Sequence, residues 1–343
     1  MRRQAVIGLG LVGLTALIVL SLWVANTPET SVMDTVKTHY RNADGLLRTY
    51  GKADQEVLLS ESIGLYMEYL VLSGEEQAFA AEVDSLRAHF LVRVNGQTYI
   101  QWNLQEGTAT GALVDELRII KSLEKAATAF QNDTYAQLAN ELYAAVKQSY
   151  TKDGLLVDFY DWSLELPAST LHLSYMDAAF LQKLGRSMED YTTWLQRSAQ
   201  EAAPFFAEVL HKGEQATLDV ADEDIVHMVD QLLIAKQYLH MHQAPPKAFD
   251  TWFRTTWQEH GQLYGRYDRT TGEPAVSYES SAVYALALQY FLQQQDMQLA
   301  DQLYKRLIEQ PPFTATSFAD IHFFDYIYAH IAKEAYVQRA AKE

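Results

Sequence analysis

The chain has 343 residues, with 27 Lys or Arg against 44 Asp or Glu, so its formal charge is −17. An acidic chain without a basic cluster is a poor candidate for binding a phosphate backbone, which excludes most nucleic-acid-binding functions. The chain contains no cysteine, so disulfides, thiol catalysis, cysteine zinc sites and a lipid-modified cysteine anchor are also excluded.

Residues 1–26 are predicted to form an N-terminal transmembrane helix that anchors the protein. Two arginines precede residues 5–25, which carry no charge and have about the roughly 20-residue length that a helix needs to cross a bilayer. Because basic residues precede the segment and acidic residues follow it, we expect the N-terminus inside the cell and residues 27–343 outside the cytoplasmic membrane. A cleaved signal peptide is the alternative, in which case the protein is secreted, although the bulky Trp23 disfavours cleavage there.

Residues 27–343 are predicted to form one all-α domain. Hydrophobic periodicity and breaker residues predict twelve helices, with the spans 30–43, 56–73, 76–91, 110–130, 133–150, 170–184, 188–210, 222–242, 246–260, 278–294, 297–309 and 317–338. Short connections alternate with long ones that contain glycine and aromatic residues. The long connections are expected to form short β-hairpin-like pieces.

This alternation favours six helix pairs closed into a toroid, an (α/α)6 barrel. The even-numbered helices are richer in Leu, Ala, Ile and Tyr, so we expect them to face the barrel axis. The long loops would then gather at one end of the barrel and line one aromatic cleft. The rival architecture is an open helical solenoid that binds a protein along its concave face.

Carboxylates stand at the expected starts of several even-numbered helices. Glu61 lies in the first turn of the second helix, where Gly64 is expected to leave an open patch beside it. Asp115 and Glu116 begin the fourth helix, and Asp224 begins the eighth. Acidic residues favour helix N-termini for electrostatic reasons alone. However, carboxylate pairs around an aromatic cleft also suit inverting glycoside hydrolysis, in which the two carboxyl groups lie about 6.5–9.5 Å apart.

Aromatic residues of the long loops and helix starts are the candidates for stacking on sugar rings. They are Trp102, Tyr160, Trp162, Tyr175, Tyr264, Tyr267 and Tyr278. The alternative for each of them is packing in the core or at the rim. The sequence contains no phosphate loop, dinucleotide fingerprint or calcium loop, so we expect neither a cofactor nor a metal.

Three segments, in order, resemble motifs of glycoside hydrolase family 8. Residues 60–67, SESIGLYM, resemble its S-E-G-x-G-Y-G-M motif, and residues 112–120, ALVDELRII, resemble A-T-D-A-D-L-x-I-A. Residues 223–227, EDIVH, resemble the Y-D-A-x-R segment. Members of that family are inverting (α/α)6-barrel enzymes that act on β-linked glycans, and some are encoded with bacterial exopolysaccharide synthesis machinery. Glycoside hydrolase family 126, which has reported α-glucan activity, is also similar.

The resemblance implies that Glu61 is the general acid and Asp224 the general base, with Asp115 or Glu116 holding the central sugar. Val114 departs from the family pattern, because an acidic residue stands there in family 8. The implied protein is an extracytoplasmic, membrane-anchored, endo-acting inverting glycoside hydrolase that cleaves a bacterial exopolysaccharide or β-linked glucan. The alternative is a catalytically weak glycan-binding or scaffold subunit of a polysaccharide synthesis or export complex.

The acid role sets a physical requirement on Glu61. A helix N-terminus lowers the pKa of a carboxyl group, whereas a general acid near neutral pH needs a raised pKa. Burial, or repulsion from a nearby carboxylate, would have to outweigh the helix dipole.

Overall fold

The computed structural model describes residues 31–52, 56–152, 154–213 and 215–342. The chain divides into a unit of residues 1–38 and a unit of residues 39–343. The predicted anchor, residues 1–26, lies outside the described ranges. Within those ranges, no helix combines the length and the apolar character that crossing a membrane requires.

Helices dominate the described residues, as predicted. Eleven α-helices in the described part of the second unit are α1 (Ser60–Ser73), α2 (Glu76–Ser85), α3 (Leu113–Ala129), α4 (Asp133–Ser149), α5 (Ala178–Lys183), α6 (Met188–Glu201), α7 (Met228–His242), α8 (Lys247–His260), α9 (Ser281–Gln294), α10 (Met297–Ile308) and α11 (Phe323–Ala340). A short α-helix, Val32–Thr35, and a π-helical turn, Val36–Tyr40, precede them, and a second π-helical turn, Leu86–Phe90, follows α2. Each of the twelve predicted helices therefore has a counterpart.

Burial separates inner helices from outer ones. Helix α9 is buried on every side, whereas the buried residues of α10 (Leu299, Ala300, Leu303 and Leu307) form a single stripe. A helix that is apolar all round lies inside a fold, and a helix with one apolar stripe lies at its surface. Helix α1 packs against α3 and α11, and α9 packs against α7 and α11. These inner helices are the even-numbered ones of the prediction.

The long connections form five small antiparallel sheets within the described ranges, as predicted. Their strands are β1 (Leu91–Val94) with β2 (Gln97–Ile100), β3 (Thr151–Lys152) with β4 (Leu155–Leu156), β5 (Tyr160–Asp161) with β6 (Leu166–Pro167), β7 (Thr170–His172) with β8 (Val209–His211) and β9 (Thr217–Asp219), and β10 (Ile225–His227) with β11 (Arg266–Asp268). Strand β10 runs directly into α7, so this sheet sets where that inner helix begins.

Three predicted helices were too long because parts of them belong to sheets. The span 170–184 divides into β7, a 3₁₀ turn at Leu173–Tyr175 and the short α5, which Asp177 caps by accepting a hydrogen bond from the Phe180 amide. Within the span 188–210, the helix ends at Glu201, and the last two residues of the span belong to β8. The span 222–242 becomes helical only at Met228, since the three preceding residues pair with β11.

The space beside Gly64 is filled, which corrects the expected open patch. A Cβ atom at Gly64 would lie 3.1 Å from Ile119 Cγ1 and 3.4 Å from Arg118 Cδ. Glycine therefore lets α1 and α3 approach closely, and this approach brings Arg118 next to the start of α1.

Candidate active site

Glu61 lies in the first turn of α1, between the starts of two inner helices. Its Oε1 atom is 3.3 Å from Nη1 of Arg118 on α3, and 28% of the Glu61 side chain is exposed. Nη2 of the same guanidinium donates a hydrogen bond of 3.0 Å to the hydroxyl of Tyr328 on α11. Arg118 therefore joins three inner helices beneath a carboxylate that solvent can reach.

Burial is the largest influence on the pKa of Glu61. Loss of solvation raises the pKa of this carboxyl, the nearby Arg118 opposes the rise, and the charge of Asp230 adds to it. The balance is a raised pKa, which is the direction that a general acid needs. The opposing effect of Arg118 is therefore smaller than the effect of burial.

Asp115 lies beside Glu61, one residue after Val114. Its Oδ2 atom accepts a hydrogen bond of 2.6 Å from the hydroxyl of Ser60, and its Oδ1 atom is 3.6 Å from Nη1 of Arg118. Burial, followed by repulsion from Glu61, raises the pKa of Asp115 to about 7. Asp115 is almost fully buried. The two groups that it contacts, the Ser60 hydroxyl and the Arg118 guanidinium, also lie next to Glu61.

Glu116 faces the protein interior, which corrects the expectation that it could hold a sugar. Its Oε1 atom accepts hydrogen bonds from the Ile100 amide at 3.1 Å and from the Tyr150 hydroxyl at 2.9 Å. Burial raises the pKa of Glu116 to about 8. With no exposed surface, this carboxyl anchors β2 and the end of α4 to the start of α3.

Asp224 and Asp230 occupy different places at the start of α7. Asp224 lies in an exposed loop before β10, and its carbonyl accepts a hydrogen bond from the Arg269 amide. Asp230 lies in the first turn of the helix, and its charge raises the pKa of Glu61. Asp230 is therefore the α7 carboxylate that acts electrostatically on Glu61. Sequence reasoning missed it because the helix was expected to begin at 222, although an acidic residue in the first turn was the correct signal.

An aromatic cavity of about 400 Å³ opens at the same end of the molecule. Two predicted sugar-binding residues, Trp102 and Tyr175, line it, and Phe159 joins them. Trp102 is 40% exposed and Phe159 is 42% exposed. Burial raises the pKa of Tyr175, and the charges of Asp158, Asp230 and Glu61 add to this rise, so this ring lies near both the cavity and the carboxylates.

The other predicted aromatic residues divide between the interior and the rim. Trp162 and Tyr267 are buried, which corrects their expected role in stacking on sugars. Trp162 instead stacks on Tyr99, with ring centroids 5.4 Å apart. Tyr160 also stacks on Tyr99, with ring centroids 5.5 Å apart.

At the rim, the amide of Tyr264 donates a hydrogen bond to the Tyr267 hydroxyl, and Tyr264 is only partly exposed. Tyr278 is 52% exposed and packs over Gly265, where an added Cβ would lie 2.7 Å from its ring. Of these two predicted residues, Tyr278 has the larger surface available to a ligand.

His172 and Asp158 form a second polar group at the cavity that sequence reasoning did not single out. Nδ1 of His172 lies 2.8 Å from Oδ2 of Asp158. Asp158 lies in a connection that the sequence marked only as aromatic, whereas His172 ends strand β7, in a span that was predicted to be helical. Within the described ranges, no group of three or more His, Asp or Glu side chains has an arrangement that could hold a metal ion.

No protein-family model matches the chain. It is 32% identical over 260 residues to the putative lipoprotein YdaJ of Bacillus subtilis (strain 168), and the match covers 74% of this chain and 70% of YdaJ. This chain belongs to the YdaJ family.

Solved structures extend the comparison. The crystal structure of PssZ from Listeria monocytogenes superposes on this YdaJ-family protein with a TM-score of 0.82 and 34% identity, over 89% of this chain and 95% of PssZ. A novel alpha-amylase from Clostridium perfringens gives a TM-score of 0.75 at 20% identity, over 89% and 96% of the two chains.

Family 8 enzymes share the fold. The endoglucanase Cel10 of Klebsiella pneumoniae, a family 8 glycosyl hydrolase, gives a TM-score of 0.63 at 13% identity, over 90% of this chain and 98% of Cel10. The resemblance to glycoside hydrolase family 8 that the three motifs indicated is confirmed at the level of the fold, and this YdaJ-family protein has the helical-barrel fold of those enzymes.

Proposed function

We propose that this protein is an inverting glycoside hydrolase in which Glu61 donates a proton to the leaving oxygen and a carboxylate of the α7 region activates water. The observation that carries the proposal is the raised pKa of Glu61 at a helix start beside an aromatic cavity. A raised carboxyl pKa is the direction that a general acid needs, and the exposed rings of Trp102 and Phe159 suit a sugar chain.

The base is Asp230 in this proposal. Its charge acts on Glu61, and two carboxyl groups with different environments can divide the roles of acid and base. Asp224 remains the residue that the family motif implies. Because both are aspartates within one short segment, each serves as the matched control for the other.

The substrate is a bacterial exopolysaccharide or a β-linked glucan, cut internally outside the cytoplasmic membrane. The N-terminal apolar stretch of residues 5–25 and the name of YdaJ, a putative lipoprotein, support this location. This chain contains no cysteine that could carry a lipid, so the anchor proposed here is the apolar stretch of residues 5–25 itself.

The test compares the wild-type protein with E61Q, D230N and D224N on carboxymethylcellulose, xylan, starch and bacterial exopolysaccharides. Product anomers are followed by NMR. Loss of general acid or base typically costs about 10²–10⁴-fold, so we expect E61Q and D230N to lose that much and D224N to keep most activity. An active E61Q would overturn the acid assignment, and an inactive D224N with an active D230N would return the base to Asp224.

A second function is a glycan-binding or scaffold subunit of a polysaccharide synthesis or export complex. Val114 in place of an acidic residue, together with the burial of Asp115, supports it. Glycan binding by the wild-type protein without release of any product from the same panel would favour this function.

A further inference from the structure

The contacts of Asp158 fix the protonation pattern of His172. The buried Asp158 carboxylate accepts hydrogen bonds from the His172 amide at 2.6 Å, the Thr170 hydroxyl at 2.6 Å and Nδ1 of His172 at 2.8 Å. A carboxylate can only accept in these bonds, so Nδ1 carries the proton. Nε2 is then the ring atom left for other partners, and it makes no hydrogen bond to the described residues.

The His172 ring is held in place but remains accessible. Its side chain is 36% exposed, and the Tyr175 ring lies 5.3 Å from it, centroid to centroid. The hydrogen bond to Asp158 raises the pKa of His172, and the charges of Asp158, Asp230 and Glu208 add to this rise, while burial opposes it. These carboxylates favour the imidazolium form, in which Nε2 donates a hydrogen bond.

The cavity beside His172 suits a ring-shaped ligand. Its volume of about 400 Å³ falls within the roughly 300–1,000 Å³ of small-ligand sites. Trp102 and Phe159 expose apolar ring surface to it, and Thr110, Gly111 and Ala112 form part of its wall. An apolar surface with one oriented donor matches a sugar ring, which has C–H faces and hydroxyl oxygens.

We propose that His172, oriented by Asp158, is the polar contact of a sugar subsite that takes a neutral hexose unit next to the catalytic carboxylates. An anionic sugar would meet Asp158, Asp230 and a chain of net charge −17. A cationic amino sugar would meet the imidazolium itself. This inference rests on the proposed function, because it assigns one subsite of the same substrate cleft.

The test measures affinity by isothermal titration calorimetry at about pH 6, where histidine is largely protonated, in an E61Q background that prevents cleavage. Cellohexaose and maltohexaose are the neutral probes. We expect H172A to raise the Kd of the probe that binds by about tenfold, since a charge-assisted hydrogen bond is lost. H211A is the matched control, because His211 lies on the neighbouring strand β8 and does not line the cavity.

A cationic probe distinguishes a direct contact from a structural role. A glucosamine hexamer should bind H172A more tightly than the parent, because a positive charge has been removed, whereas mere distortion of the loop would weaken both kinds of ligand. D158N, which keeps the shape of Asp158, should also weaken the neutral probe. Thermal unfolding of each variant verifies that it is folded.

The subsite and the proposed function fail in different ways. An unchanged Kd for the neutral probe in H172A, or no binding of either neutral probe by the parent, overturns the subsite. Hydrolysis is measured separately on the wild-type protein, so absence of product overturns the proposed function even where the affinities change as expected.

Discussion

The guanidinium of Arg118 lies 3.3 Å from the carboxylate of Glu61, Nη1 to Oε1. This is an unusual neighbour for a general acid, because a cation favours the ionised carboxylate. Burial nevertheless outweighs it, so the pKa of Glu61 stays raised. Arg118 also approaches the buried Asp115, and therefore compensates two carboxylates with one charge. We infer that it limits how far the pKa of Glu61 rises.

Replacing Arg118 by methionine should shift the pH dependence of hydrolysis. A general acid must be protonated, so the rate falls as pH rises through its pKa. Without the cation this pKa is higher, and the alkaline limb of kcat/KM should move up by about 1–3 pH units. R118K, which keeps the charge, is the control and should move less. An alkaline limb at the same pH in R118M and the wild type would show that Arg118 does not set the pKa of the acid.

Glu116 should make the protein less stable as pH rises. Its carboxyl ionises near 4.5 when unperturbed and at about 8 in the folded protein, so between these values the folded state holds the extra proton. The stabilisation is complete below about pH 4.5 and is lost as pH rises through about 8, a change on the order of a few kcal/mol. Gln at this position keeps an oxygen that can accept from Ile100 and Tyr150.

We therefore expect E116Q to have a flatter dependence of unfolding free energy on pH than the wild type. Urea unfolding at several pH values between 4 and 8 measures this dependence. The two pKa values of Glu116, 4.5 when unperturbed and about 8 in the folded protein, set that pH range. E106Q is the control, because Glu106 lies on an exposed loop and its replacement should leave the slope unchanged. Equal slopes for E116Q and the wild type would mean that Glu116 is ionised in the folded protein.

The helices of this protein could be predicted because their signals are local. Periodic apolar residues and short polar connections lie within one stretch of chain, and all twelve predicted helices have counterparts. The errors fall where three-residue strands pair with distant partners. Thr170 pairs with His211, and Ile225 pairs with Asp268. Hydrophobic periodicity within one segment carries no information about such partners.

The same limit applies to the candidate site. Glu61 was identified from its place at a helix start, which is a local property. Choosing between Asp224 and Asp230 requires the true start of α7, and that start depends on the pairing of β10 with β11. The Asp158–His172 pair joins residues that no sequence motif links. Burial likewise separates Trp102 from Trp162, although both follow the same aromatic pattern in the chain.

Replacement by alanine should reduce stability at Trp162 and glycan binding at Trp102. Trp162 is 8% exposed and stacks on Tyr99, so W162A should lower the unfolding free energy by about 3–5 kcal/mol, as expected for a large buried side chain. Trp102 is 40% exposed and lines the cavity, so W102A should change stability by less than about 1 kcal/mol while weakening glycan binding. Urea unfolding and calorimetric titration with cellohexaose or maltohexaose in the E61Q background measure the two effects. A W102A variant that unfolds easily but binds glycan normally would show that Trp102 is a packing residue and would remove it from the substrate cleft.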